Sequence, residues 1–458
     1  MTVAEAPVQV PVRPKTGAVL AVTGVAPLLV LMNYSTPLIM VPQTAAHLGA
    51  GASGQVWIMS SISLGLAALL LVAGGLADDY GRRRVFVIGA ALLAASSLVG
   101  AAAPDTLVFV LARIVQGMAS AALLVTSLGI MGHTFPTGHG RLRATGLYGA
   151  MMGAGVAVGP LLGGALERPA GWNAAYWIYA LAAALLALSA MAFLPESRAE
   201  RPRRLDLGGV ITLGLGLAAL LAAITEGRAG WFRGPVVTLF GIAAMLIGAF
   251  VAIENRRRQP LLEPDLFRRP LFLLATVGAV IQGLAVIGLM SDLSTVLERR
   301  QAFTPLTAAA AIAYWSSVAF LVSLQVKKVR LRPGRLLAAG FLSTAVGDLL
   351  LLGVTARWSW PQAAAGLLIA GAGYGIANAA LARLALDSVP ADRGSVGSGA
   401  NNTARYIGSA VGVPIVVAVV TAAGFDTALW ICAGLLALAA GLPFLLQKSR
   451  LQEPGNPA

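Results

Sequence analysis

Fourteen stretches of this chain are apolar, almost free of charge and long enough to cross a lipid bilayer, and no other feature restricts the fold as strongly. They are Gly17–Pro42, Ser53–Ala77, Val85–Ala103, Thr106–Met131, Arg143–Leu166, Trp172–Leu194, Leu207–Thr225, Pro235–Ile253, Leu271–Leu297, Thr304–Val326, Arg335–Thr355, Pro361–Leu386, Ser395–Ala423 and Thr427–Leu446. A spanning helix needs about 20 apolar residues. Hydrocarbon offers the backbone no hydrogen-bonding partner, so each stretch is predicted to be a helix. The expected class is an all-α polytopic membrane protein.

Composition agrees. Only 11% of the 458 residues are charged and 57% are hydrophobic, whereas soluble domains carry roughly a quarter charged residues. The single cysteine, Cys432, excludes an internal disulfide or a cysteine metal cluster, and it lies in an apolar run where a small core residue is expected. The three histidines, His47, His133 and His139, have no ligand spacing. With no nucleophile, metal or nucleotide motif, the chain is expected to be neither an enzyme nor a holder of a cofactor.

The net charge of +14 acquires meaning from its distribution, and no basic run suggests nucleic-acid binding. Of the 33 Lys and Arg residues, 24 fall in the links on the side of the N-terminus. Six fall on the opposite side, and Arg113, Arg383 and Arg405 lie within the apolar stretches. Such a bias marks the cytosolic face, which predicts a cell (inner) membrane protein with both termini in the cytosol. The polar segment Met1–Thr16 reads as a cytosolic tail. The basic links Arg198–Arg204, Arg256–Arg269 and Lys327–Arg335 are orientation determinants or lipid-headgroup anchors.

The second half echoes the first. Gly81-Arg82 before the third stretch has a counterpart in Gly334-Arg335 before the eleventh. Gly155-x-x-x-Gly159-Pro160 in the fifth has one in Gly408-x-x-x-Gly412-x-Pro414 in the thirteenth. The expected organisation is a tail over 1–16, a six-helix bundle over 17–194 and two inserted helices with basic links over 195–270. A second six-helix bundle over 271–447 and a tail over 448–458 complete it.

Polar groups inside hydrocarbon are costly, so each is a candidate for function. Arg113 stays charged at any working pH. It can tune a neighbouring acid or hold an anion, but it cannot carry a proton. Counting about 1.5 Å per residue, Arg113 and Asn33 each lie nine residues from the outer helix end, so they are expected to face each other. Asp292 is either a proton carrier or an interfacial acid paired with Arg299 or Arg300. Asp348, expected near the middle of the eleventh stretch, is a second proton site or half of a buried packing pair. Arg405 with Asn401 and Asn402 either lines a pathway or clamps helix ends. Tyr314, Trp315, Tyr374 and Asn378, with Gln116, could line a pocket, although Trp and Tyr are more often core or interface. The glycines of the fifth stretch, at four-residue spacing, form a packing face.

Between the second and third stretches lies Gly74-Gly75-Leu76-Ala77-Asp78-Asp79-Tyr80-Gly81-Arg82-Arg83-Arg84. This order resembles the loop between helices 2 and 3 of the major facilitator superfamily. Arg113, Gln116 and Gly117 are similar to that family's helix 4 motif, and Gly159-Pro160-x-x-Gly163-Gly164 to its antiporter element. Leu205-Asp206-Leu207-Gly208-Gly209, Pro260–Phe267 and Asn401-Asn402-Thr403-Ala404-Arg405 also resemble the fourteen-helix drug:proton antiporter branch. The resemblance implies two six-helix bundles plus two inserted helices, with proton-coupled export of small amphipathic molecules. It implies a cytosolic gate at Gly75, Asp78, Asp79, Gly81, Arg82 and Arg83, a moving contact at Gly155, Gly159, Pro160, Gly163 and Gly164, and a substrate pathway that includes Asn33, Asn402 and Arg405. The partners implied are a small-molecule substrate, protons and the bilayer, with the chain a monomer. One departure stands out. Where many members carry an acid in helix 1, this chain has Asn33 in Met32-Asn33-Tyr34-Ser35. The proton site has then moved, to Asp292 first and Asp348 second, or export of an anionic or neutral metabolite anchored by Arg113 replaces proton antiport. A transport-inactive scaffold or receptor is the remaining alternative.

Overall fold

A computed structural model describes residues 16–444 apart from 136–137, 198–206, 228–229, 257–265, 267, 327–328, 330 and 390–393. Both tails and most of the three basic links lie outside the described residues, as do Leu205-Asp206 and all of Pro260–Phe267 except Leu266.

The helices are α1 (Thr16–Ser35), α2 (Pro37–His47), α3 (Ala52–Tyr80), α4 (Arg82–Ala101), α5 (Thr106–Thr134), α6 (Gly138–Ala170), α7 (Ala174–Phe193), α8 (Leu207–Gly227), α9 (Gly234–Arg256), α10 (Pro270–Ile281), α11 (Gly288–Gln301), α12 (Pro305–Gln325), α13 (Pro333–Leu350), α14 (Trp360–Asp387), α15 (Gly394–Ala423) and α16 (Phe425–Ala439). Among the described residues there is no strand. Every one of the fourteen apolar stretches is helical, and twelve helices of the described residues are long and apolar enough to span a membrane. Helix starts follow familiar chemistry. Asp105 Oδ1 accepts from Val108 N at 2.9 Å to cap α5, and prolines, which have no N–H to leave unpaired, open α2, α10, α12, α13 and α14.

Three stretches depart from simple helices. The first is broken between Ser35 and Pro37 and runs on to His47. Pro37 cannot continue the backbone ladder, and the Thr36 hydroxyl instead bonds Met32 O (2.8 Å) and Gly159 O (2.9 Å). The ninth contains a π-helical turn, Gln282–Ile287, between α10 and α11. The eleventh stays α-helical only to Leu350, where tighter bonds such as Leu351 N to Asp348 O (3.1 Å) take over. Asp348 therefore lies in the last turn of α13, a correction to its expected place near the middle.

Helices α1–α7 form one packed set and α10–α16 another. α1 lies on α6, and α5 lies between α3 and α4, whereas α10 lies on α15 and α13 lies on α14 and α16. The sets meet along a seam where α3 crosses α15, α6 crosses α12 and α2 touches α11. α8 and α9 pack on each other, and α8 covers the seam by touching both α3 and α15. The end of the molecule bearing the α3–α4 link is called proximal below, and the end bearing the α4–α5 link distal.

Candidate functional site: buried arginines held by amides

The capped start of α5 sets the depth of Arg113, whose side chain is wholly enclosed, with 0% exposure. Its Nη1 donates to Asn33 O (3.0 Å), Asn33 Oδ1 (2.8 Å) and Gln116 Oε1 (2.8 Å). The Gln116 amide in turn donates to Ser96 O (3.2 Å) and stands 3.5 Å from the Ser97 hydroxyl. The guanidinium carbon lies 5.9 Å from the centre of the Tyr176 ring. The pairing expected from equal depth is present, and these partners of the guanidinium are all neutral. Among the described residues, Arg113 Nε and Nη2, Asn33 Nδ2 and the Tyr176 hydroxyl are buried with no hydrogen-bond partner. An unsatisfied buried donor costs on the order of 1–3 kcal/mol, so the group keeps donors ready for an acceptor.

Beside Asn33, Tyr34 turns to the seam. Its hydroxyl bonds Ser63 Oγ of α3 (3.2 Å) and Ser409 Oγ of α15 (3.0 Å), and its ring meets Tyr406 edge-on at 5.9 Å. Across the seam Arg405, 9% exposed, repeats the chemistry of Arg113. Nη1 donates to Asn378 Oδ1 (2.6 Å) and Nη2 to Asn402 Oδ1, and the guanidinium lies 5.6 Å from the Tyr406 ring centre. Asn401 turns away, donating to Ala275 O at 3.1 Å. Trp315 and Tyr374 pack together at 4.9 Å, with Gln282 Nε2 donating to Tyr374 O (3.5 Å). Tyr314, 40% exposed, does not join this pair.

The candidate acids are separated. Asp292 is buried in α11, nine residues before the helix ends at Gln301, or ~13 Å. Counted from Leu297, the end of the ninth apolar stretch, the depth is only about 8 Å; it is greater here because α11 extends to Gln301. Arg299 donates to Gln55 Oε1 at 2.6 Å. Asp348 is fully buried, with neither carboxyl oxygen bonded among the described residues, on a helix that packs on α14 and α16 rather than on α1–α7.

Two helix sets with buried polar groups at their seam define a recognisable architecture, and the comparisons with known proteins bear on it directly. The sequence profile of the Major Facilitator Superfamily matches residues 23–413 and again 330–458. The chain belongs to the Major Facilitator Superfamily. It is therefore a multi-pass membrane transporter and not an enzyme. Among similar superfamily members, multidrug resistance protein Stp of Mycobacterium tuberculosis is 30% identical over 406 residues, 88% of this chain and 75% of Stp. Puromycin resistance protein pur8 of Streptomyces alboniger is 29% identical over 455 residues, covering 93% of this chain and 90% of pur8. The crystal structure of the human organic anion transporter MFSD10 (TETRAN) superposes with a TM-score of 0.64 over 94% of this chain and 100% of that one. At 19% identity, this likeness speaks for the fold alone.

The superfamily's loop between its second and third helices is here the α3–α4 link. Gly81 adopts φ +103°, a conformation other residues rarely take, and a Cβ there would stand 2.5 Å from Glu196 Oε1. Glu196 accepts from Arg83 N (3.2 Å) and lies 3.8 Å from Arg84 Nε. Arg83 Nη2 donates to Met191 O, and Arg82 Nη1 to Gly129 O at 3.5 Å. All these bonds stay within α1–α7 and its flanking residues. Gly75 lies within α3, and the side chains of Asp78 and Asp79 lie outside what the structure describes.

The glycines of α6 lie at a close crossing. A Cβ at Gly155 would come 2.6 Å from Leu28 O, and at Gly159 2.6 Å from Met32 O. Gly163 faces Met40 and Thr36, and Gly164 faces the backbone of Leu306 across the seam. Gly408 and Gly412 of α15 press in the same way on Val280 and Leu284 of α10 and the π turn. Pro160 lies inside α6 without ending it. Sequence reasoning missed Glu196, Gln43 and Glu298. Glu196 had a local signal, as an acid two residues before the Arg198–Arg204 run and thus a natural partner for nearby arginines. The other two had none, because their partners lie far along the chain.

Proposed function

We propose that this transporter exports amphipathic, drug-like small molecules by proton antiport with alternating access. Substrate binds between a bundle over 17–194 and one over 271–447, in the cell (inner) membrane, with both termini cytosolic and the distal end outside. The observation that carries the reading is the mid-seam contact of Tyr34 with Ser63 and Ser409, flanked by Arg113 and Arg405. Hydroxyl bonds of this kind contribute only about 0.5–1.5 kcal/mol each, so two packed sets can exchange them for bonds to a substrate. The names of Stp and pur8 support the class of cargo. In this reading Asp78, Asp79 and Arg82 secure the cytosolic side, the α6 glycines form the sliding contact, and Arg113 sets the local field. Asp292 carries the proton and Asp348 is the second candidate.

Asp292→Asn is expected to lower proton-driven export in liposomes by about 100-fold or more, as loss of an essential acid does, with substrate binding still measurable by tryptophan quenching. Export at the wild-type rate would rule Asp292 out.

The two partnerless donors of Arg113 favour a second reading, in which an acidic metabolite is the cargo and docks on that guanidinium. Asn33→Asp separates the two. A carboxylate 3 Å from Arg113 would occupy the anion site and abolish transport of an acidic cargo, whereas antiport of a cationic drug would continue.

A further inference from the structure

At the distal end, α2 and α11 approach across the seam, and Gln43 Nε2 donates to Glu298 Oε2 at 3.2 Å. The amide oxygen Gln43 Oε1 and the second carboxyl oxygen Glu298 Oε1 are each buried with no hydrogen-bond partner among the described residues. Two buried acceptors left without a donor are a costly arrangement, and one proton on the carboxyl group relieves it. An amide and a protonated carboxyl are complementary, each offering one donor and one acceptor. Beside them Ser294 donates to Leu38 O and Arg299 to Gln55 Oε1, also from α11 to the other set.

We infer that Glu298 and Gln43 form a proton-operated latch between the two helix sets. With a proton on Oε1 of Glu298, taken from water on the distal side, the pair carries two hydrogen bonds and holds the distal end shut. When the proton returns to water, one bond is lost and a carboxylate remains within electrostatic reach of Glu167 on α6, so the distal end opens. Among the described residues, the other charged groups on neighbouring elements are engaged elsewhere. His47 of α2 lies against the Trp172 ring, Asp426 of α16 accepts from Gly353 N, and Arg405 of α15 is held by Asn378 and Asn402. α12 carries no charged residue. Arg299, on α11 itself, is a cation close enough to act on the Glu298 charge. The latch rests on the alternating-access reading and adds to it a proton-sensing position distinct from Asp292.

The test uses full-length protein in lipid vesicles with nitroxide labels on Ala102→Cys and Ala356→Cys, both exposed at the distal end, in a Cys432→Ala background. Pulsed electron paramagnetic resonance then reads the distance between the sets at about pH 5 and about pH 9, either side of the carboxyl range in proteins. The unmodified latch is expected to give one short distance in acid and a second, longer population in base. Glu298→Gln, which keeps a donor on the side chain at every pH, is expected to stay short throughout, and Gln43→Leu to lose the pH-dependent shift. A distribution that ignores pH, or a Glu298→Gln protein that shifts like its parent, overturns the latch. Dye export from the same vesicles separates the two claims. A pH-dependent shift without export supports the latch and removes the exporter reading, and export with a fixed distance removes the latch alone.

Discussion

Replacing Arg113 with alanine is expected to reduce the initial rate of export by at least about 100-fold. Three acceptors, Asn33 O, Asn33 Oδ1 and Gln116 Oε1, would lose their donor inside a fully enclosed group. At ~1–3 kcal/mol for each unsatisfied buried group and about 1.4 kcal/mol per decade of rate, that loss exceeds two decades if the geometry at Asn33 matters to transport. Arg113→Lys keeps the charge but supplies a single point donor in place of a planar fork, so it is expected to recover only a small part of the rate. Efflux by reconstituted protein, normalised to the monodisperse fraction, is the measurement. A rate within threefold of the parent for Arg113→Ala would leave the amide-held arginine with a packing role only.

The other large effect concerns assembly. α3 and α5 cross where Gly65 meets Gly117, and a Cβ on Gly117 would fall 2.2 Å from Ile62 O and 2.9 Å from Gly65 Cα. Gly117→Val therefore requires the two helices to separate, and overpacking of this kind costs about 1–3 kcal/mol or more. The crossing lies one turn from Arg113, so the displacement also pulls Gln116 from the guanidinium. Most of the folded protein is expected to be lost from the membrane fraction. Gly149→Val is the control, since nothing stands within 4 Å of a Cβ at Gly149 on α6. Equal yield and equal thermal stability of Gly117→Val and Gly149→Val, by fluorescence size-exclusion, would refute the crossing.

What could be read in advance was what the bilayer itself dictates. All fourteen helical stretches were legible because hydrocarbon demands continuous apolar helices. The approach of Asn33 to Arg113 was legible because rise per residue converts sequence position into depth. Equal depth does not give azimuth, however. Nothing in the apolar run from Pro305 shows that Trp315 faces Tyr374 while Tyr314 is exposed. Ends were harder still. Leu351–Ala356 is as apolar as the helix before it, yet it coils into tight turns with Gly353 at φ +76°, and so Asp348 was misplaced. The Gln43–Glu298 bond spans 255 residues of sequence, and no local pattern encodes such a pairing.

The π turn at Gln282–Ile287 has a consequence for chain length. A turn with i→i+5 bonds holds about one residue more than an α turn, while in a regular helix each residue adds about 100° of rotation. Deleting a residue from α11 between Gly288 and Asp292 would swing both Asp292 and Glu298 off their buried face. Deleting one within the π turn would let it relax to an ordinary α turn, with α11 keeping its orientation and sliding by ~1.5 Å. This short segment is therefore where the ninth stretch can gain or lose a residue without scrambling the acids beyond it. It is also where a gap belongs when this helix is aligned with the corresponding helix of another transporter.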